Sequence, residues 1–192
     1  MPSEATTSVQ SPAGTGEGRN GVRAVFADEL AFRAWYEKSL PRVYAYLFNR
    51  CGRDPELAEE LTQQAFVEAV RSRARFRGQS DAMTWVIGIA RHKLVDHFRR
   101  IERDRRRHAA LVARDIAQTD PAVLPSQTGP DEIDEALAAL APIQRAVLIL
   151  HYIDRLPVRE VARSIGKSEA ATASLLARSR DSFRLAFHEA DR

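Results

Sequence analysis

Apolar residues recur every three or four positions along most of the chain, the spacing of helices with one buried face, and no stretch alternates strongly enough to propose a sheet. From Asp28 to Cys51 the apolar series runs through Leu30, Phe32, Trp35, Tyr36, Leu40, Val43, Tyr44, Leu47 and Phe48, with Pro41 permitting a bend or a restart. A second helix restarts after Gly52. Asp54 is suited to cap it and Pro55 to open it, where a missing N–H costs nothing. Its core candidates are Leu57, Ala58, Leu61, Ala65, Phe66, Ala69 and Val70. "RFRGQSDAM" (75–83) breaks the pattern at Gly78, and Ser80 or Asp81 can cap the helix that follows. In that helix, "MTWVIGIARHKLVDHFRR" (83–100), Met83, Val86, Ile87, Ala90, Leu94 and Phe98 share a face, while Trp85, Ile89, His92, Arg99 and Arg100 fall elsewhere.

The pattern lapses over "DIAQTDPAVLPSQTGPDEIDE" (115–135), which holds three prolines, one glycine, six Asp/Glu and no Lys or Arg. Too little apolar periodicity remains there for a core, so it reads as an extended or mobile connector. Beyond it Ile133, Leu137, Leu140, Val147, Leu148, Leu150 and Ile153 form one helical stripe interrupted at Pro142. Pro157 then opens a short helix, Ala162 is small where another helix must approach, Gly166 makes a tight turn, and Ser168 caps a helix running toward Phe187. Short helix, glycine turn and longer helix are the parts of a helix-turn-helix, although a plain antiparallel helix pair could share this spacing. The expected architecture is all-α: two small helical domains joined by a flexible linker, the C-terminal one a helix-turn-helix. Their bounds are a disordered tail over 1–24, a first domain over 25–114, a linker over 115–132 and a second domain over 133–192.

Charge sharpens this picture. The net charge of +3 is unevenly placed: Arg71 to Arg107 carries a local net of +8, leaving −5 for the rest. A basic block on an acidic remainder points to a polyanion partner or to a solvated, Arg-rich helix end. The single cysteine, Cys51, excludes an internal disulfide framework and fits a buried thiol in a reducing compartment. No apolar run approaches the ~20 residues of a membrane span, and the first 24 residues lack the apolar core of a signal peptide. A cytoplasmic protein without membrane insertion is expected.

Three blocks occur in order across the linker: "LPRVYAYLFNRCGRDPELAEELTQQAFVEAV", "RFRGQSDAMTWVIGIARHKLVDHFRR" and "LAALAPIQRAVLILHYIDRLPVREVARSIGKSEAATASLLARSR". Together they resemble a bacterial sigma factor of the extracytoplasmic-function type in the sigma-70 family, over about residues 26 to 188. The resemblance implies a factor that binds core RNA polymerase, through its beta and beta-prime subunits, and directs promoter-specific initiation of transcription. It assigns the first domain to sigma region 2 and the second to sigma region 4. "AEELTQQAF" is similar to the segment that docks on the polymerase clamp, with Glu60, Gln63 and Gln64 as its polar contacts and Leu61 and Phe66 on a different, core face. The helix opening at Met83 would meet the minus-ten element, with Arg91, Lys93, Arg99 and Arg100 on phosphates. "RGQSDAM" resembles the family's base-capturing loop and brings in Arg77, Gln79 and Ser80. Trp85 is assigned to packing.

The minus-thirty-five element would be read by Lys167, Ser168, Glu169, Thr172, Ser174 and Arg178. The sequence departs from the family here, since many members carry Lys and Arg where this chain has Ala173 and Leu175. Arginine readout of guanine is correspondingly limited. The resemblance also implies an anti-sigma partner and a linker that threads the polymerase interior. No phosphate-binding glycine loop or nucleophile elbow occurs. His92, Asp96 and His97 show no third metal ligand, so neither enzymatic activity nor a cofactor or metal is expected. The alternative is a stand-alone helix-turn-helix regulator, which would bind duplex DNA without polymerase.

Overall fold

The computed structural model describes residues 25–26, 28–76, 80–112 and 132–190. Helix α1 spans Glu29–Phe48 and continues through Pro41 without a restart. Asp28 caps it by accepting the Ala31 N–H at 2.8 Å. The chain reverses through Gly52 and Arg53, both left-handed with φ of +77° and +57°. Helix α2, Pro55–Ser72, opens as the sequence predicts, with proline in its first turn and Asp54 accepting the Leu57 N–H at 3.0 Å. Between the two candidate caps of α3, Asp81 does the capping: one oxygen accepts the Met83 and Thr84 N–H groups, both at 2.9 Å, and the other the Thr84 hydroxyl at 2.6 Å. These bonds, the Thr84 hydroxyl first, hold the Asp81 carboxyl below its ordinary pKa.

Helix α3 spans Ala82–Val112, well past the apolar stripe that announces it. Its extension is built of good helix formers, and Glu102 ties the preceding turn to Arg105 and Arg106 at 3.3 and 2.7 Å. Val86, Ala90, Leu94 and Phe98 close over Val43 and Leu47 of α1 and Ala58, Leu61, Ala65 and Phe66 of α2. Leu30 is not part of this core. It is 79% exposed, because five residues before Trp35 is about 140° around a helix axis.

The second domain contains α4 (Glu132–Ala138), α5 (Pro142–Leu148) running into a π-helical turn (Ile149–Ile153), α6 (Val158–Ile165) and α7 (Glu169–Ala190). Leu140, Val147, Leu148 and Leu150 are core, but Ile133 and Ile153 stand 49% and 48% exposed. The break at Pro142 and the wider π turn change the helical phase, so a single-period stripe drifts off the buried face at both ends. No strand occurs among the described residues. The expected tail, and the linker apart from Glu132, lie outside them.

The two domains share an apolar contact. Val95, on a second face of α3, packs with Ile143, Val147 and Val161, while Ala146 and Ile149 join the first-domain cluster. Among the described residues no helix is long and apolar enough to cross a membrane.

Candidate nucleic-acid and polymerase interfaces

The turn between α6 and α7 is built around Gly166. Its φ of +65° suits glycine, and it lets the Lys167 N–H reach the Ala162 carbonyl at 3.0 Å. Ser168 then caps α7, its hydroxyl oxygen accepting the Ala171 N–H at 3.2 Å. Val161, Ala162, Ile165, Leu175 and Leu176 lock the two helices together as a helix-turn-helix. Lys167, Ser168, Glu169, Ala173, Ser174 and Arg178 lie exposed on the leading part of this unit. Ser174 donates its hydroxyl to the Ala170 carbonyl at 3.0 Å, and Arg178 reaches the Ser174 carbonyl at 3.4 Å, which keeps both close to the helix.

Thr172 does not stand with them. It is 0% exposed and donates its hydroxyl to the Ser168 carbonyl at 2.8 Å, so it belongs to the inner face of α7. Leu175 is likewise inside. Of the two positions where family members carry basic residues, only Ala173 faces solvent.

In the first domain α2 divides as expected. Glu60 and Gln63 are exposed, Gln64 is half-buried and donates to Glu60 at 2.8 Å, and Leu61 and Phe66 lie in the core. Gln64 shares a cleft of about 360 Å³ with Lys93, His97, Arg99 and Arg100 of α3. Burial, and then the positive charge of Arg100, push the His97 pKa down, so the cleft takes its charge from the Lys and Arg side chains. Lys93 lies 3.4 Å from Glu68, and Arg99 3.4 Å from Asp96. Arg103, Arg105, Arg106 and Arg107 extend the exposed basic run along α3. Sequence reasoning counted these four as charge but named none as a contact.

Arg77 and Gln79 lie outside the described residues, and Ser80 is half-buried beside the Asp81 cap. Trp85 packs edge-on to Phe26 and 5.2 Å from Phe76, a packing role. Among the described residues, His92, Asp96 and His97 join no group arranged to hold a metal. Cys51 is buried between the Phe48 and Asp54 carbonyls, and burial pushes its thiol up to about 12.

Arg91 is drawn inward. Its Nε donates to Asp154 of the second domain at 3.1 Å, and Asp154 also accepts from Tyr46 Oη at 2.7 Å and Arg50 Nε at 2.8 Å. Burial, then the Asp154 charge, raise the Tyr46 pKa, which keeps the phenol a donor. Burial opposes the Arg91 charge, but Tyr46 and Asp154 outweigh it and raise its pKa. No local pattern could have revealed this cluster, because Asp154 lies 63 to 108 residues from the side chains that donate to it.

The chain matches the family described as Sigma-70 region 2 over residues 35–105 and that described as Sigma-70, region 4 over residues 131–182. It is 30% identical to the ECF RNA polymerase sigma factor SigX of Bacillus subtilis, over 74% of this chain and 76% of that protein. To the ECF RNA polymerase sigma factor BldN of Streptomyces coelicolor it is 31% identical, over 80% of this chain and 59% of the relative. Its fold is similar to that of the sigma factor RpoE in the co-crystal structure with the anti-sigma factor NepR from Bartonella quintana. That likeness has a TM-score of 0.51 at 21% identity and covers 84% of this chain and 98% of the other. With a helix-turn-helix behind a basic helical domain, and both sigma regions matched in order, the chain belongs to the extracytoplasmic-function sigma factors of the sigma-70 family, which direct RNA polymerase to initiate transcription at particular promoters.

Proposed function

We propose that this sigma factor divides its work between the outer face of α2, the basic face of α3 and the leading turn of α7. Glu60, Gln63 and Gln64 dock on core polymerase. Lys93, Arg99 and Arg100 hold phosphates around the minus-ten element, with Arg77, Gln79 and Ser80 near the melted bases, while Arg91 is engaged by Asp154. Lys167, Ser168, Glu169, Ser174 and Arg178 meet the minus-thirty-five element. The observation that carries this reading is the pairing of two features: a helix-turn-helix whose leading residues are exposed, and a long helix with a basic run. A domain pair of this kind grips two sites on one duplex, and catalysis stays with the polymerase.

An anti-sigma partner fits as well. Ile133, Leu137, Tyr152, Ile153 and Phe183 line an open apolar groove rimmed by Arg180 and Arg184, and the related RpoE is seen with NepR. The site of action is the cytoplasm, where promoter DNA and polymerase are.

Purified core polymerase with this chain should give run-off transcripts from a cognate promoter, and neither component alone should do so. Strong promoter binding by the chain without polymerase would instead support a stand-alone regulator.

Arg99 and Arg100 carry sequence-independent affinity. Each phosphate contact contributes about 0.9 to the slope of log K against log salt for duplex DNA, or about 0.7 for single strands. The Arg99→Ala/Arg100→Ala holoenzyme should lose about 1.4 to 1.8 from that slope, with base preference unchanged. A salt titration that left slope and affinity at the wild-type values would remove both residues from the interface.

A further inference from the structure

We propose that α7 selects its promoter element through thymine methyl groups, so that the minus-thirty-five element of this chain is centred on adjacent A·T pairs and needs no guanine there. The proposal rests on the assignment of α7 to that element, and adds to it the class of base that the helix can tell apart.

Packing fixes which way α7 faces. Thr172, Leu175, Leu176 and Ser179 are buried, and Thr172 and Ser179 donate their hydroxyls to the Ser168 and Leu175 carbonyls, both at 2.8 Å. At about 100° per residue, the opposite side of the cylinder falls on Ala170 and Ser174. Ala171 and Ala173 flank them, and all four are exposed. The outward face of these leading turns therefore carries three methyl groups and one hydroxyl. No amide or cationic side chain lies between Ala170 and Ser174. Lys167 precedes the helix, Arg178 comes a turn after Ser174, and Glu169 stands about 100° from Ala170, toward the inner face.

These groups restrict what can be read. In the major groove guanine offers two acceptors, N7 and O6, which call for a donor such as arginine or lysine. The outward face supplies none, since even the Ser174 hydroxyl is committed to the Ala170 carbonyl at 3.0 Å. What remains of Ser174 is an acceptor oxygen, which suits the N6 amino group of adenine. Thymine presents a methyl group in the same groove, and alanine is among the side chains that pack on it. An A·T pair thus matches both parts of the surface, methyl against methyl and amino group against hydroxyl oxygen. The amino group of cytosine would suit the oxygen too, but its pair lacks the methyl and sets the guanine acceptors beside alanine.

The dimensions agree. A helix with its side chains is about 10 to 12 Å across and the major groove about 12 Å wide, so side chains cut back to alanine let the axis settle closer to the base edges. Ala170 and Ser174 are one turn apart, roughly 6 Å along the axis, or nearly two base-pair steps of about 3.4 Å. Lys167 and Arg178 bracket this short window, with reach enough for phosphates on either side. The Arg178 Nε lies 3.4 Å from the Ser174 carbonyl, which leaves its Nη groups to donate outward.

The test uses holoenzyme assembled from the full chain and core polymerase, first to select from promoter duplexes randomised across the minus-thirty-five element. At least two adjacent A·T pairs should be enriched at its centre, without an invariant G·C pair. The selected duplex is then remade with deoxyuridine for each thymine of the element, which removes the methyl groups and nothing else. Binding should weaken about fourfold for each methyl that was packed, while the same exchange in the spacer between the two elements should have no effect. Ala173→Ser, which adds a hydroxyl at nearly the same size, should narrow the gap between the thymine and deoxyuridine duplexes, with helix content by circular dichroism unchanged. Lys167→Ala should lower the slope of log K against log salt by about 0.9, an independent sign that the start of α7 is at the DNA. With that slope lowered, deoxyuridine duplexes bound as tightly as thymine ones, or a selected element built on invariant G·C pairs, would overturn the methyl reading and leave the assignment of α7 standing. A Lys167→Ala slope equal to wild type would overturn the assignment, and the methyl reading with it.

Discussion

Phe66→Ala is expected to unfold much of the first domain, whereas Gln63→Ala, three residues earlier on the same helix, leaves it intact and loses polymerase. The Phe66 ring is buried, with the Tyr36 ring 4.8 Å and the Trp35 ring 5.6 Å away, both edge to face. Removing it takes away the aromatic contacts and leaves a cavity that the helices cannot close. Changes of this kind cost about 3 to 5 kcal/mol. At roughly 4 °C or more per kcal/mol for a domain of this size, the melting midpoint should fall by more than about 10 °C. Gln63 is exposed, so its alanine variant should melt within about 0.5 kcal/mol of wild type, as surface substitutions usually do. Thermal unfolding combined with a core-polymerase binding titration checks both halves. Similar melting midpoints for the two variants would contradict the division of faces on α2.

The parts of this molecule that sequence makes legible are those decided within one or two helical turns. Asp54 with Pro55, and Gly166 with Ser168, act through bonds to residues at most five positions away, so composition and spacing suffice to place them. A periodic stripe is nearly as local, and Val86, Ala90, Leu94 and Phe98 could all be assigned to a core before knowing what covers it. Errors enter where a rule is extended past its reach. Leu30 is apolar but out of phase, while Ile133 and Ile153 sit beyond breaks in helical phase. Thr172 is polar yet faces inward, because its hydroxyl is satisfied by the carbonyl four residues back.

The interdomain contact is a different kind of omission. Asp154 sits after an apolar run, with neither a charged neighbour pattern nor a motif to mark it. Its partners come from α1 and α3, so only the packing of the two domains discloses why an acid should be buried there. The same packing changes the meaning of Arg91. A cation on a basic helix reads from sequence as a phosphate contact, and here its guanidinium donates to Asp154 of the second domain.

Ala173 and Leu175 look alike in the sequence, as two apolar residues where related factors are basic, and they should respond in opposite ways to the same substitution. Leu175→Asp places a short carboxylate among Leu140, Ile143, Val161 and Ile165, too short to reach water as a lysine or arginine would. Loss of the leucine costs about 2 to 5 kcal/mol, and desolvating a carboxylate at the edge of that core adds to it. A helical unit of about 60 residues holds only on the order of 3 to 9 kcal/mol, so the second domain should fail to fold and its share of the circular dichroism signal should vanish. Ala173 is exposed on the leading half of α7. Asp there changes helix propensity by at most about 0.7 kcal/mol, so the domain should melt almost as wild type. Its charge would face phosphate, at a cost of about 1 kcal/mol in bulk water and more near the protein surface. Holoenzyme carrying Ala173→Asp should therefore bind promoter duplex at least about fivefold more weakly, with core-polymerase affinity unchanged. A stable Leu175→Asp domain, or an Ala173→Asp holoenzyme with native promoter affinity, would mean that α7 presents a different face to DNA.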